Sequence, residues 1–208
     1  YISAETSAQA LASPHLEGFK SKKIPVLIMT DAIDQFWLPM VGSFKEKKFT
    51  SITQGKINLD ELDSKNKNKK NKSNDDKDKQ DKEYVDLIAQ LKVVLGDQVK
   101  DIRLSSKLTD SPVCLVADEG DMDIAMEQLM AQRDSNYKGA PRILEINGDH
   151  SLIKNMKSLL SKKESNDLVS DAGTLLFEQA RLMEGKMPAD PAQFSKIMNQ
   201  FLLKAIPN

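Results

Sequence analysis

The clearest hydrophobic pattern lies near the C-terminal end of the chain, from Asn166 to Ile206, and predicts two amphipathic helices. In the second helix, six apolar residues recur at i, i+3, i+4, i+7, i+8 and i+11 and form one stripe: Phe194, Ile197, Met198, Phe201, Leu202 and Ala205. The first helix carries a similar stripe: Leu168, Ala172, Leu175, Leu176, Leu182 and Met183. Asp190 is suited to cap the second helix, Pro191 to begin it, and Gly185 to end the first.

Two such helices form a helical hairpin with more apolar surface than they can bury against each other. A second copy, related by a two-fold axis, would close this surface as a four-helix bundle. The hairpin is therefore predicted to be a dimerisation module. The alternative is a hairpin that folds back on the rest of its own chain, and the pattern alone does not decide between the two.

Residues 1–58 predict a small α/β unit. Residues 24–29 form a short apolar run bounded by polar residues, which is typical of a buried strand. A helix beginning at Ala32 should follow, and Pro39 should end or kink it. Residues 48–53 are a second candidate strand, so the expected order is strand, helix, strand.

Residues 59–82 differ sharply in composition from the rest of the chain. Residues 63–72 are rich in lysine and asparagine, and residues 75–79 alternate in charge. This segment offers little apolar area to bury, so a solvated linker or insertion is expected. A nucleic-acid patch is the alternative, but the segment lacks aromatic residues and its lysines are partly neutralised by the acids that follow.

Residues 83–208 predict a second, mixed domain. Its apolar periodicities indicate a helix, two strands, a helix, a strand and three helices: 84–95, 99–105, 113–117, 121–133, 142–146, 152–160 and the terminal hairpin. The whole chain is thus expected to be α+β, a small α/β unit followed by a mixed α/β domain that ends in the hairpin.

The helix expected at 121–133 has an unusual apolar stripe. Met122, Ala125, Met126, Leu129 and Met130 share one side of it. The methionine thioether is flexible and polarisable, which suits a surface that must accept many shapes. The alternative is a core helix that uses methionine as filler.

Phe36 and Trp37 allow the same two interpretations. They lie at a helix end beside Pro39, where the rings could pack inward or offer an aromatic anchor to a partner. The pattern alone does not choose between these two roles.

Composition narrows the class of protein. The 208 residues are 39% hydrophobic and 29% charged with a net charge of −1, an ordinary balance that argues against nucleic acid or an anionic membrane as the main partner. The single cysteine, Cys114, excludes an internal disulfide and fits a reducing cytoplasm. No apolar run approaches the roughly 18 residues of a membrane-spanning helix.

No catalytic or metal-binding residue is predicted. The two histidines, His15 and His150, are far apart and have no second ligand at metal spacing. The pair Asp149-His150 is more typical of a capped turn than of part of a triad. The motifs of a nucleophile elbow or a phosphate-binding loop are missing from the sequence. Cys114 lies within a predicted strand and is interpreted as an inert core residue.

Several stretches resemble the 90-kDa heat-shock protein chaperones. Residues 13–17 (SPHLE), 26–34 (VLIMTDAID) and 51–53 (SIT) are similar to the end of the middle domain of that family. Residues 108–116 (LTDSPVCLV), 144–150 (LEINGDH) and 199–202 (NQFL) are similar to its C-terminal domain. The bacterial HtpG type is the most similar, because the chain stops at Pro207-Asn208 without an acidic tail.

The resemblance implies a homodimer held by a four-helix bundle. It also implies that the helix with Met122, Met126, Leu129 and Met130 contacts non-native client proteins in the cleft between protomers, with Phe36 and Trp37 as a second client contact. ATP and Mg²⁺ would bind upstream of Tyr1, so this chain is expected to contain neither cofactor site nor ATPase activity.

Overall fold

The computed structural model describes residues 1–55, 57, 59–62, 82–134, 137, 139–160 and 166–206. Of the charged segment predicted at 59–82, residues 63–81 lie outside these residues. The described chain is mixed helix and strand, which confirms the α+β class.

The first part of the chain contains short elements. They are β1 (Ile2–Ser3), α1 (Ser7–Ala12), a 3-10 turn (Pro14–Leu16), α2 (Glu17–Ser21), β2 (Ile28–Met29), α3 (Asp34–Val41), β3 (Ser43–Phe44), β4 (Lys47–Lys48) and α4 (Leu59–Leu62). Strands β1 and β2 pair in parallel, and β3 and β4 form a hairpin. A small core joins these elements: Ile2, Ala10, Leu16, Phe19, Ile52 and Leu59.

Among the described residues of the second part there are one sheet and five longer helices. They are α5 (Val85–Leu95), a 3-10 turn (Gly96–Gln98), β5 (Val99–Leu104), β6 (Val113–Val116), α6 (Ile124–Arg133), β7 (Arg142–Ile146), α7 (Ser151–Leu160), α8 (Asn166–Met183) and α9 (Pro191–Ala205). This order is the one predicted from the sequence. Strand β7 is central, parallel to β5 and antiparallel to β6.

The main core lies between this sheet and helices α5, α7 and α8. All five residues of β7 are buried, because both of its faces are covered. Leu144 and Ile146 point into the main core. Gly173 on α8 permits close packing, since an added Cβ would lie 2.3 Å from the Leu91 side chain of α5.

Helix termini follow the predicted signals in the second part. Asp190 Oδ1 accepts the Gln193 N–H at 2.9 Å, and Pro191 begins α9. Gly96, with φ +49°, follows α5, and Gly185, with φ +76°, follows α8. These outcomes confirm the predicted caps.

Two strand predictions in the first part are wrong, and Pro39 does not end its helix. The strand expected at 24–29 is confined to β2, because its partner β1 offers only two residues. Residues 49–53 are not a strand. The Ile52 N–H donates to the Tyr1 carbonyl and the Thr53 carbonyl accepts the Ala117 N–H, but Tyr1 and Ala117 both lie just outside a strand. Pro39 lies inside α3, which continues to Val41 and ends at Gly42 with φ +64°.

The predicted start of the charged linker also needs correction. Leu59, assigned to the linker, is 2% exposed and packs in the core of the first part beside Phe19. Its apolar side chain is buried there, so the first unit reaches beyond residue 58. The division into domains otherwise stays a prediction.

The contact between the two parts is polar and buried. Glu145, on the face of β7 away from the main core, accepts hydrogen bonds from Arg103 and Ser105. Arg103 Nη2 also donates to the Gly55 carbonyl at 3.0 Å, and Lys107 Nζ donates to the Ile52 carbonyl at 3.1 Å. The side chains of Arg103 and Lys107 therefore attach the second part to backbone carbonyls of the first part.

Glu17 makes a second connection. Its carboxylate accepts the backbone N–H groups of Thr109, Asp110 and Ser111 at 2.8–3.1 Å and the Ser111 hydroxyl at 2.5 Å. Burial opposes ionisation, but these hydrogen bonds outweigh it and lower the pKa of Glu17. One carboxylate of α2 thus orders the turn that leads into β6.

We expect Glu17→Gln to lower the free energy of unfolding at pH 7 by about 1 kcal/mol, a modest loss because the group is partly exposed to solvent. A lowered folded-state pKa means that this stabilisation is present above the unfolded pKa and is lost as pH falls through the folded pKa. Urea unfolding at a series of pH values checks this. The difference from the unsubstituted chain should vanish in acid, whereas exposed Glu119→Gln should change little at any pH.

Candidate interaction surfaces

Helix α6 begins later than the sequence predicts. Asp123 is its N-cap and accepts the Ala125 N–H at 3.0 Å, so Met122 precedes the helix and is not on its stripe. Asp123 Oδ2 also accepts the Thr53 hydroxyl at 2.9 Å. The same carboxylate therefore starts α6 and connects it to the first part of the chain.

The residues of α6 that face the interior are not its methionines. Ile124 and Glu127 are its buried residues. Met126, Leu129 and Met130 are half-buried, and Met122 is exposed. The methionines are therefore not core residues of the described chain, in contrast to the alternative interpretation of this pattern.

Phe36 and Trp37 lie half-buried on α3. Trp37 Nε1 donates to Asp34 Oδ1 at 2.7 Å, and its ring meets Phe49 edge to face with centroids 5.8 Å apart. Trp37 is thus fixed in position by both contacts. Several apolar neighbours of these two residues along the chain are exposed: Ile33, Met40, Val41 and Phe44.

Helix α8 buries a different stripe from the predicted one. Its buried apolar residues are Val169, Ala172, Gly173, Leu176, Phe177 and Ala180. Of the residues assigned to the dimer interface, Ala172 and Leu176 therefore belong to the core of their own chain, and their burial leaves little surface for a partner. Leu168 and Leu175 are half-buried and Leu182 is exposed, at seven-residue spacing on another side of the helix.

Helix α9 is divided in the same way. Ile197 is buried within the chain, and Phe194 and Phe201 are half-buried, with Phe201 packed on the main core. The remaining predicted interface residues, Met198, Leu202 and Ala205, are exposed at i, i+4 and i+7. Further exposed apolar residues that the stripe did not include are Met187, Leu203 and Ile206. Both helices of the hairpin thus have one apolar side buried in their own chain and another exposed.

The residues considered for catalysis lie in structural positions. His150 Nδ1 accepts the Leu152 N–H at 3.1 Å, so His150 caps the start of α7, as predicted. Asp149 pairs with Lys154 at the surface at 3.3 Å. Cys114 is buried, and desolvation followed by the charge of Glu145 raises the pKa of its thiol, which keeps it protonated.

His15 is also buried, and desolvation followed by the nearby Lys107 charge lowers its pKa to about 3. Its ring is therefore neutral at physiological pH. Within the described ranges there is no group of three or more His, Cys, Asp or Glu side chains able to hold a metal ion. Among the described helices, none has the length and apolar character needed to cross a membrane.

Sequence comparison identifies the class of protein. The family described as "Hsp90 protein" matches residues 1–207, and the chain belongs to this family. The predicted resemblance is thereby confirmed.

Individual relatives give the same result. The chain is 40% identical over 208 residues to the chaperone protein HtpG of Roseobacter denitrificans, covering 99% of this chain and 33% of that protein. It is 38% identical to the HtpG of Paramagnetospirillum magneticum, covering 99% and 32%. It is 35% identical to the HtpG of Streptomyces coelicolor, covering 95% and 30%. The chain spans about a third of the length of these curated relatives.

Proposed function

We propose that this chain is the dimerising and client-binding part of an Hsp90-type chaperone. Helices α8 and α9 would pair with a second copy as a four-helix bundle. Helix α6, together with the surface around Phe36 and Trp37, would bind non-native polypeptides. One observation carries the proposal. The hairpin has two apolar sides, and a single chain buries only one of them.

The exposed side of the hairpin supports a second copy as its partner. Leu182, Met198 and Leu202 are each more than a third exposed, and Leu203 and Ile206 are largely exposed. Apolar surface of this kind is favourable to bury, at about 25 cal/mol per Å². A two-fold axis would place the same side of both hairpins in contact, and packing of four helices is the simplest closed arrangement.

The α6 surface supports a partner without fixed shape. Met126 and Met130 are half-buried, so part of each thioether remains available, and Met122 adds an exposed side chain just before the helix. Flexible side chains adapt to different apolar sequences, which favours weak binding to many partners. In a dimer, two such surfaces would act on one polypeptide and raise its avidity.

ATP and Mg²⁺ enter the proposal only for a longer parent protein. The relatives are about three times as long as this chain, and the resemblance assigns nucleotide binding to a preceding domain. We also propose a cytoplasmic location, because a single cysteine fits a reducing compartment.

Methionine oxidation tests the client surface. We expect dilute hydrogen peroxide to oxidise Met122, Met126 and Met130 in the folded chain, and a permanently unfolded probe, reduced and carboxymethylated α-lactalbumin, to slow that oxidation several-fold. Met187, exposed in the bend between α8 and α9, serves as the internal control and should be unaffected by the probe. Equal rates with and without the probe would instead favour a purely structural dimerisation domain.

A further inference from the structure

The inner side of α6 is held by charge rather than by apolar packing. Glu127, at the centre of the helix, is 2% exposed, and its Oε2 lies 2.6 Å from Nη2 of Arg142, which is 3% exposed. Arg142 is the first residue of β7, the central strand of the sheet. The helix that carries Met126 and Met130 outward is therefore attached to the sheet by a buried ion pair.

Each member of this ion pair also makes one hydrogen bond to the backbone. Glu127 Oε1 accepts the Ala140 N–H at 3.0 Å, and Arg142 Nη1 donates to the Met122 carbonyl at 3.0 Å. Gly139, with φ +66°, lets the backbone pass close to the carboxylate, because an added Cβ would lie 2.7 Å from Glu127 Oε2. The segment before β7 therefore encloses Glu127. Arg142, at the start of β7, holds the backbone of Met122 just before the N-cap of α6.

The same cluster extends to the terminal hairpin. Lys186, in the bend after α8, has its Nζ 3.8 Å from Glu127 Oε2 and 3.3 Å from Glu184 Oε2. Gln128, next to Glu127, donates through its side-chain amide to the Glu184 carbonyl. One ionic cluster thus touches both the methionine helix and the bend between α8 and α9.

Apolar residues at positions 127 and 142 together could hold the helix by burial alone. Replacing a buried ion pair with well-packed apolar residues is often neutral or stabilising, so stability does not account for this arrangement. Apolar contacts, however, are non-directional. Since Met126, Leu129 and Met130 lie on the same helix, such a helix would have more than one apolar side and could turn its methionines inward.

We propose that Glu127 is a positioning residue for the methionine surface: its ion pair with Arg142, together with the hydrogen bond that each partner makes to the backbone, fixes the rotation of α6 and keeps Met126 and Met130 partly exposed. The inference rests on the proposed client-binding function for its biological meaning. The position of the helix can be measured independently of that function.

The test is the double variant Glu127→Leu/Arg142→Leu. We expect it to fold and to keep the thermal midpoint of the unsubstituted chain or raise it. Met126 and Met130 should oxidise at least threefold more slowly than in the unsubstituted chain. Binding of the unfolded α-lactalbumin probe should fall at least fivefold. Glu178→Gln, which removes a buried carboxylate on α8, is the matched control and should leave the oxidation of both methionines unchanged.

Unchanged oxidation of Met126 and Met130 in a folded double variant would overturn the proposal. If the double variant does not fold, Glu127→Gln replaces it, with amide hydrogen exchange as the measurement. Exchange in α6 should then be at least tenfold faster relative to α8, and an unaltered ratio would overturn the proposal. Failure of the unsubstituted chain to bind the probe would count against the client function alone, because oxidation still reports the position of the helix.

Discussion

Leu202→Asp is expected to convert the proposed dimer into a monomer. Leu202 is 49% exposed in one chain, on the side of α9 that faces away from the chain's own core. In a two-fold interface the change occurs twice, and losing about 1.5 kcal/mol of burial per copy weakens association about 100-fold before any charge effect. A buried carboxylate without a partner adds to that loss. Sedimentation velocity at micromolar concentration would show the change as a shift to the monomer.

The choice of Leu202 separates association from folding. Phe201 belongs to the same predicted stripe but packs on the main core, so its replacement would also destabilise the fold. Val93→Asp is the matched control, since Val93 is 79% exposed on α5 and has no predicted interface role. The control should remain dimeric with an unchanged thermal midpoint. A Leu202→Asp chain that sediments like the control would show that the interface lies elsewhere.

Met126→Lys combined with Leu129→Asp should leave the dimer intact and weaken the suppression of client aggregation several-fold. Both residues are half-buried on α6, and neither is a member of the main core. The substitutions place charges where a client would bury apolar side chains, and burial of an unpaired charge is costly. Light scattering of an aggregating test protein, with sedimentation in parallel, measures the two properties separately.

A matched double variant tests whether any loss is specific to α6. Val93→Lys with Leu152→Asp replaces exposed apolar residues on α5 and α7 with the same two charges. It should suppress aggregation as the unsubstituted chain does. Equal suppression by the α6 variant would exclude this surface as the client contact, while equal loss in both variants would indicate a general effect of charge.

The larger elements of the second part were predictable because their periodic patterns are long. Strand β7 was expected at 142–146 and is observed there, and the caps Asp190 and Gly96 lie where their residue types indicate. The short strands of the first part were not predictable in the same way. The length of strand β2 is limited by its partner β1, which lies 26 residues earlier in the chain. The residues around β2 therefore do not indicate how long the strand is.

The side of α8 that is buried was only partly predicted. Leu168, Leu175 and Leu182 continue the apolar stripe on the sequence, but Val169, Phe177 and Ala180 occupy the core. Two apolar stripes on one helix cannot be ranked from periodicity alone, because either could face the sheet. Gly173 is the one available signal, since a missing side chain within a helix indicates a close neighbour, here Leu91.

The role of Glu127 could not be predicted from the sequence. A charged residue in an amphipathic helix is normally interpreted as part of the solvated side, but Glu127 is buried together with Ile124 on the inner side of α6. The partners of Glu127 lie elsewhere in the chain: Arg142 on β7, the Ala140 N–H and Lys186 after α8. The sequence showed the methionine stripe but not the buried ion pair on the inner side of the same helix.

Sedimentation velocity of the unsubstituted chain across a dilution series tests pairing through the hairpin most directly. We expect a dimer at micromolar concentration that dissociates on dilution into a monomer with unchanged helical content. A monomer at every concentration, with Leu182 and Leu202 exposed to solvent throughout, would contradict it.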